Sequence, residues 1–357
     1  MIRRIKHSLI PLYQRAATWR AGRTFVRRDE RPTAFLLLTP DYGNVGDLAI
    51  GVAEVAYLES RLPEYDIVSI PLTETYAWLR SIKKRSREGD IVFLVGGGST
   101  GDLYPRAHFG RVFAIRYLQR LPIISFPQSI IYSSEHAKRT FGRRERAAFR
   151  SHSSLRLFMR ERTSMKIVEE IFGGDVGYAP DIVLSQTNLT NAEAQRSHAL
   201  VVLRADGERS LTDDDHERIL VLAETISGAV VVQDHEVSFE PQRGLSPSAV
   251  VQEMMEQYRS AQVVITDRLH GMIFAAVTGT PCVVLPNTNH KIVGTYEDWL
   301  RESCPYIRFA ESQDADALRL LAEEVVVIGR AGAQPPVLDF SQLDAAVAEF
   351  AMRGDVR

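Results

Sequence analysis

From residue 34 onward, short apolar runs alternate with amphipathic stretches. Ala34 to Leu38, Asp66 to Ile70, Ile91 to Val95, Pro122 to Phe126 and Leu155 to Met159 read as strands. The stretches Leu48 to Leu62, Thr75 to Lys84, Arg111 to Arg120, Ala137 to Arg150 and Ser164 to Phe172 read as helices. Near-continuous apolar strands alternating with helices predict a parallel sheet covered on both faces. The pattern weakens across Ser185 to Ser197 (SQTNLTNAEAQRS), a polar linker, and then restarts. Ala199 to Leu203, Ala229 to Val232, Val263 to Thr266 and Cys282 to Leu285 are the second set of strands. Asp213 to Thr225, Pro247 to Arg259, His270 to Thr278 and Asp314 to Glu324 are the helices that go with them. The expected fold is α/β: two Rossmann-like lobes, residues 31–190 and 191–357, each a parallel sheet with helices on both faces, preceded by a segment 1–30. Two such lobes make the cleft between them the natural ligand site. The last helical stretch, Phe340 to Ala351, is open to either lobe.

The length of 357 residues suits two domains. Hydrophobic content of 45% with 25% charged residues excludes long disorder. No apolar run approaches the roughly 20 residues of a membrane-spanning helix, and charges with Pro11 interrupt the N-terminus too early for a signal peptide. Two cysteines, Cys282 and Cys304, lack any metal or redox spacing and point to buried thiols in a cytoplasmic protein. Charge is uneven. Residues 1–28 hold eight Lys or Arg and no acid, which leaves −10 on the remainder once those eight are taken from the net −2. Ile2, Ile5, Leu9, Leu12, Ala16 and Trp19 recur at helical spacing among them. Two readings stay open: a helix lying on an anionic membrane at its inner face, or a basic arm covering the protein's own acidic body. Nucleic acid is not an expected partner, because no basic or aromatic cluster continues into the body.

Ligands of open parallel sheets bind beyond the carboxyl ends of the strands, so the residues just after each apolar run carry the chemistry. TPDYGNVGDLAIG follows the first: Gly43 and Gly46 permit a tight turn, with Asn44 and Asp47 as its polar side chains. It reads equally as an ordinary glycine turn capped by Asp47. VGGGSTGDLY follows the third, where Gly96, Gly97 and Gly98 let backbone approach a ligand or another chain segment, and Ser99, Thr100 and Asp102 can meet hydroxyls. It is not a phosphate-binding P-loop, lacking the Lys-Ser/Thr ending. SFPQSI places Gln128 and Ser129 after the fourth run, and FMRERTS places Arg160, Glu161 and Arg162 after the fifth, where a salt-bridged helix start is the plainer reading. In the second half, VVLRADGER places Arg204 at a strand end, and VITDRLHGM places Asp267, Arg268 and His270 at another. Arginine suits forked pairing with carboxylate or phosphate, and histidine suits proton transfer near neutrality. Opening a helix, whose N-terminus adds positive potential, Arg268 and His270 together make an anion site with a proton donor.

GNVGD, GGGSTGDLY, PQS, RERTS, APD (Ala179, Pro180, Asp181) and DRLHG fall in the order and spacing of the polysaccharide pyruvyl transferase family, which the chain resembles from about residue 34 to 300. The resemblance implies an architecture similar to B-type glycosyltransferases. It also implies transfer of pyruvate from phosphoenolpyruvate, as a ketal, to two hydroxyls of a sugar in a polysaccharide or its lipid-linked precursor, with phosphate released. Arg268, Leu269 and His270 then bind the donor, His270 as acid or base. A further donor arginine matches Arg160 or Arg162; Arg204 joins them from its strand-end position alone. The donor carries a carboxylate and a phosphate, which calls for more than one arginine. Asp47 or Asp102 would take the hydroxyl proton, and Asn44, Gly97, Gly98, Ser99, Thr100 and Gln128 would hold the acceptor. No metal and no cofactor is expected, phosphoenolpyruvate being a co-substrate. The alternatives are a nucleotide-sugar glycosyltransferase of the same fold and a non-catalytic sugar-binding protein. Which sugar is modified, and the oligomeric state, are not legible.

Overall fold

Two all-parallel sheets organise the chain. The computed structural model describes residues 16–20, 22–173, 176–186, 196–205, 209–239, 245–287, 290–312 and 314–352. The first sheet is built from β1 (Thr33–Thr39), β2 (Asp66–Pro71), β3 (Ile91–Leu94), β4 (Gly97–Gly101), β5 (Ile123–Ile131), β6 (Leu155–Met159) and β7 (Gly177–Tyr178). Its order is β2-β1-β3-β5-β6-β7, with β4 paired to β5. Parallel neighbours need crossover connections, supplied by α1 (Val45–Arg61), α2 (Thr75–Arg85), α3 (Pro105–Tyr117), α4 (Arg143–Arg150) and α5 (Arg162–Phe172). β1 and β3 are buried along their whole length, which is why TAFLLLT and IVFL read as unbroken apolar runs rather than alternating ones.

The second sheet runs β12-β11-β10-β8-β9. Its strands are β8 (His198–Val202), β9 (Val230–Gln233), β10 (Ala261–Thr266), β11 (Cys282–Val284) and β12 (Ile307–Phe309). The helices with it are α6 (Asp213–Ser227), α7 (Pro247–Ser260), α8 (Leu269–Thr278), α9 (His290–Thr295) and α10 (Ala315–Arg330); a last helix, α11 (Ser341–Met352), ends the described chain. Local chemistry fixes the ends of α6: Thr212 and Asp215 form a reciprocal capping box, and Gly228 closes the helix at φ +69°. By its contacts the chain divides into one unit of Met1–Asp41, Glu54–Ala179 and Phe340–Arg357 and another of Tyr42–Ala53 and Pro180–Asp339. The turn after β1 and the first turns of α1 thus belong with the second sheet, although the sequence places them in the first lobe.

The fourth apolar run extends further than its hydrophobicity shows. β5 continues through Pro127, Gln128 and Ser129 to Ile131, because β4 pairs with its second half, Gly97 opposite Gln128 and Gly101 opposite Ile131. The glycine-rich stretch expected as a loop is therefore a strand. Gly101 lies at φ +102°, and a β-carbon there would sit 1.9 Å from the Ile131 carbonyl oxygen. The close approach that the glycines permit is to another segment of the chain. At the end of β1, Leu38 holds a positive φ of 69° beside a register shift between Leu37 and Thr39. Such strain in a bulky residue persists only where the surroundings over-determine it; Leu38 is buried, and its N–H donates to Thr75 Oγ1 at 3.2 Å.

Residues 1–15 and 21, which carry Arg3, Arg4, Lys6 and Arg15 of the basic stretch, lie outside the described residues, as do 187–195 of the polar linker. Residues 16–20 are helical, with the Arg80 guanidinium 4.6 Å over the Trp19 ring. Beyond them Arg23 pairs with Glu74 and Arg27 with Asp90, each at 2.7 Å, while Phe25 packs edge-on to Phe35. Two of the eight cations are thereby held by acids of the same unit. No helix among the described residues is long and apolar enough to cross a membrane.

Candidate active site

In the second unit β9, β8 and β10 are adjacent and parallel, so the residues that follow them stand along one edge. Asp234 follows β9, Arg204 stands two residues after β8, and Asp267 with Arg268 follows β10. The Arg204 N–H donates to Asp267 Oδ1 at 2.8 Å, and Asn287, beyond β11, donates through Nδ2 to the Asp267 carbonyl at 3.3 Å. Asp267 Oδ2 is buried with no hydrogen-bond partner among the described residues. Burial raises the Asp267 carboxyl above its ordinary range, against the Arg204 N–H and the Arg268 and Arg204 cations, which lower it.

Arg268 occupies the N-cap of α8 without a side-chain cap; its N–H donates to Thr266 Oγ1 at 3.0 Å, and Thr266 in turn donates to the Val202 carbonyl. The guanidinium is therefore released from helix capping, and it pairs with the Asp234 carboxylate. Leu269 is buried with the rest of α8, whose described side chains from Gly271 to Thr278 all pack inside the unit. The helix is apolar because it is packed inside; only its start carries polar chemistry.

His270 stands in that first turn. Its Nε2 is buried, makes no hydrogen bond among the described residues, and lies 3.7 Å from Asp181 Oδ2. That distance is too long for a hydrogen bond and within reach of an ion pair when the ring carries a proton. Asp181 is fully buried and caps a single 3₁₀ turn, Ile182–Ser185, by accepting from the Val183 N–H at 3.0 Å. On its other side the imidazole meets the start of α1 and the turn leading into it. A β-carbon at Gly46 would lie 2.5 Å from His270 Nδ1, so only glycine allows this approach. The turn is fastened by Val45 N–H to the His235 carbonyl at 2.8 Å, by Val237 N–H to the Gly43 carbonyl at 2.9 Å, and by an Asn44–Glu236 bridge. Asn44 Oδ1 accepts from the Asp47 N–H at 3.1 Å, and Asp47 Oδ2 accepts from Tyr42 at 3.0 Å. Asn44 and Asp47 thus join His270, Arg268 and Arg204 in the same unit.

Asp181, Asp234 and His235 were given no role by the sequence reading. The last two follow the apolar run Ala229 to Val232, so the strand-end rule that picked out Arg204 and Arg268 applies to them as well. His235 is buried, its Nε2 2.9 Å from the Tyr258 hydroxyl and its ring 5.0 Å from Phe274. Burial, and then the nearby Arg268, His270 and Arg204, push this imidazole well below its ordinary 6.5. His152 and His198 are also lowered by burial. A base whose folded value is depressed stays neutral while the unfolded chain takes up its proton, so stability falls as pH drops below about 6.5. Denaturant midpoints should decline from pH 7 to 5, and a folded His235→Phe variant should decline less steeply. Equal slopes would show that His235 is not among the groups responsible.

Apart from Asn44, the residues expected to hold an acceptor lie in the first unit, and two of them, Thr100 and Gln128, bind each other. Thr100 donates to Gln128 at 2.9 Å, Gln128 donates to the Val95 carbonyl, and Ser129 links Glu161 at 2.8 Å to Arg160 at 2.7 Å. Thr100, Gln128, Ser129 and Arg160 are all buried. Ser99 accepts from Arg111 Nη2 at 3.1 Å, and Asp102 accepts from the Ser133 N–H at 2.7 Å. Gly97 is buried within β4 while Gly98 is half-buried, and Arg162 is exposed at the start of α5. Thr100 and Gln128 therefore brace the β4–β5 pairing.

Two parallel sheets flanked by helices, with charged and titratable groups gathered past the strand ends, define an α/β protein of the B-type glycosyltransferase architecture. A UDP-N-acetylglucosamine 2-epimerase-like protein of Listeria monocytogenes shares the fold with a TM-score of 0.54 at 11% identity, over 90% of this chain and 94% of that one. A Klebsiella pneumoniae protein of uncharacterised function shares it with a TM-score of 0.52 at 17% identity, over 79% and 94%. Sequence gives the finer assignment. Residues 44–289 match the model of the polysaccharide pyruvyl transferase family, and the chain belongs to that family of transferases. It is 30% identical to pyruvyl transferase 1 of Schizosaccharomyces pombe, over 73% of this chain and 68% of the relative. It is also 30% identical to general stress protein 30 of Bacillus subtilis, over 87% and 92%.

Proposed function

We propose that the protein moves pyruvate from phosphoenolpyruvate onto two hydroxyls of one sugar, as a ketal, and releases phosphate. The observation that carries this reading is His270: a buried imidazole nitrogen with no hydrogen-bond partner among the described residues, set 3.7 Å from a fully buried carboxylate and next to Arg268. Asp181 is the carboxylate that faces the ring, 3.7 Å from Nε2, and fixes the side from which the ring can exchange a proton. Arg268 and Arg204, at adjacent strand ends, hold the two anionic ends of the donor. His270 gives its proton to the donor's methylene carbon, making the methyl group and leaving positive charge at the central carbon. A first sugar hydroxyl adds there and loses its proton to a base, for which Asp47 is the candidate in the same unit. The carbon–oxygen bond to phosphate then breaks, phosphate departs with the bonding pair, and the second hydroxyl adds with loss of its proton. Two hydroxyl protons are lost; the methyl group gains one and phosphate carries the other.

Incubation with phosphoenolpyruvate and a panel of sugar acceptors should release phosphate in step with a ketal detected by mass. Release of nucleoside diphosphate from a nucleotide sugar, with none of phosphate from phosphoenolpyruvate, would replace this reading by glycosyl transfer.

A further inference from the structure

Arg268 is nearly enclosed, its side chain only 6% exposed, and a guanidinium so placed needs an anion. Asp234 supplies it, from the end of β9. Asp234 is itself held in a local turn: its Oδ1 accepts from the His235 N–H at 2.6 Å and the Glu236 N–H at 3.4 Å. Its side chain is 26% exposed, far more open than its partner. We propose that Asp234 is a displaceable internal anion, occupying on Arg268 the place that an anionic oxygen group of the donor takes when it binds.

The argument is one of charge. A carboxylate or phosphate reaching Arg268 while Asp234 remains paired there would meet a like charge at close range, which is strongly unfavourable where water is scarce. The pair can open without undoing the Asp234 turn: the oxygen that meets Arg268, Oδ1, is also held by two backbone N–H groups, so the guanidinium is the group that turns away to the incoming anion. The same segment carries the His235 carbonyl that fastens the turn next to His270. The exchange on Arg268 and the position of the imidazole's neighbour are therefore built on four consecutive residues, Asp234 to Val237. In the resting protein Asp234 keeps the buried cation satisfied, and it sets a threshold that weakly anionic molecules do not pass.

This inference rests on the proposed donor for the identity of the incoming group, and on the geometry alone for the exchange. The test is calorimetric titration of wild type and Asp234→Asn with phosphoenolpyruvate, and in parallel with inorganic phosphate and uridine diphosphate. Asparagine keeps the turn through its carbonyl oxygen and removes the competing charge. Phosphoenolpyruvate should bind about tenfold tighter to Asp234→Asn, the equivalent of freeing one charged hydrogen bond. The melting temperature without ligand should fall while the rise on adding ligand grows. A residue that merely braces Arg268 would lower both stability and affinity. Tighter binding of phosphate or uridine diphosphate without any of phosphoenolpyruvate would support the exchange and overturn the donor. Equal or weaker binding of all three by a folded variant would overturn the exchange.

Discussion

Replacing His270 by glutamine should lower turnover by about 10²- to 10⁴-fold, the range that positioned proton transfer typically supplies. Donor affinity should change far less. The expectation comes from the surroundings of the ring. Among the described residues Nε2 has no hydrogen-bond partner to lose, and Asp181 approaches to 3.7 Å without a hydrogen bond, so substitution breaks little that holds the unit together. Glutamine is flexible enough to lie along the face of Gly46, where the backbone leaves room for a planar group. What it cannot do is carry a transferable proton. Initial rates beside calorimetric titration of phosphoenolpyruvate separate the two effects. A variant that turns over near the wild-type rate would make the histidine structural, and proton delivery would belong to another acid.

The main strands of both sheets were legible because buried parallel strands are nearly continuous apolar runs. The two-residue β7 and the three-residue β12 leave no periodicity to read. β4 escaped for a different reason: GGSTG has no apolar pattern, and its pairing is set by backbone proximity that only its glycines allow. That pairing changes the meaning of Gln128 and Thr100, which look like polar groups past a strand end and are instead bonded to each other inside the sheet. Reading the strand ends singled out Arg204, Arg268 and His270, and the structure places all three past the strands of the second unit. The same rule points to Asp234, at the polar tail of the exposed edge strand β9. The company kept by Asn44 and Asp47 was not legible. They lie along the sequence in the first α/β block, yet the turn that carries them is bonded at Asn44 to Glu236 and at Val45 to His235, nearly two hundred residues away. Contacts of that range depend on backbone geometry with no local sequence signature.

Truncating Arg268 to alanine should weaken phosphoenolpyruvate binding by about 10- to 100-fold, the loss of one charged hydrogen-bonded contact, with the catalytic step itself less affected than by loss of His270. The variant should fold. The role of residue 268 in starting α8 runs through its backbone, whose N–H reaches Thr266 and whose carbonyl receives the Met272 N–H at 3.1 Å. Asp234, left without its cation, is open enough to be hydrated. Lysine at 268 should restore only part of the affinity, having the charge without the fork that matches a carboxylate or phosphate. The combination with Asp234→Asn is the sharper measurement. If the two side chains acted independently, the tighter binding of Asp234→Asn and the weaker binding of Arg268→Ala would add. If Asp234 acts by occupying Arg268, removing the arginine removes the seat for which it competes, and the second substitution should then gain almost nothing in the Arg268→Ala background. Such non-additivity is the mark of residues working on one partner. A full tenfold gain from Asp234→Asn in the absence of Arg268 would mean that the aspartate repels the donor directly, from its own position at the end of β9.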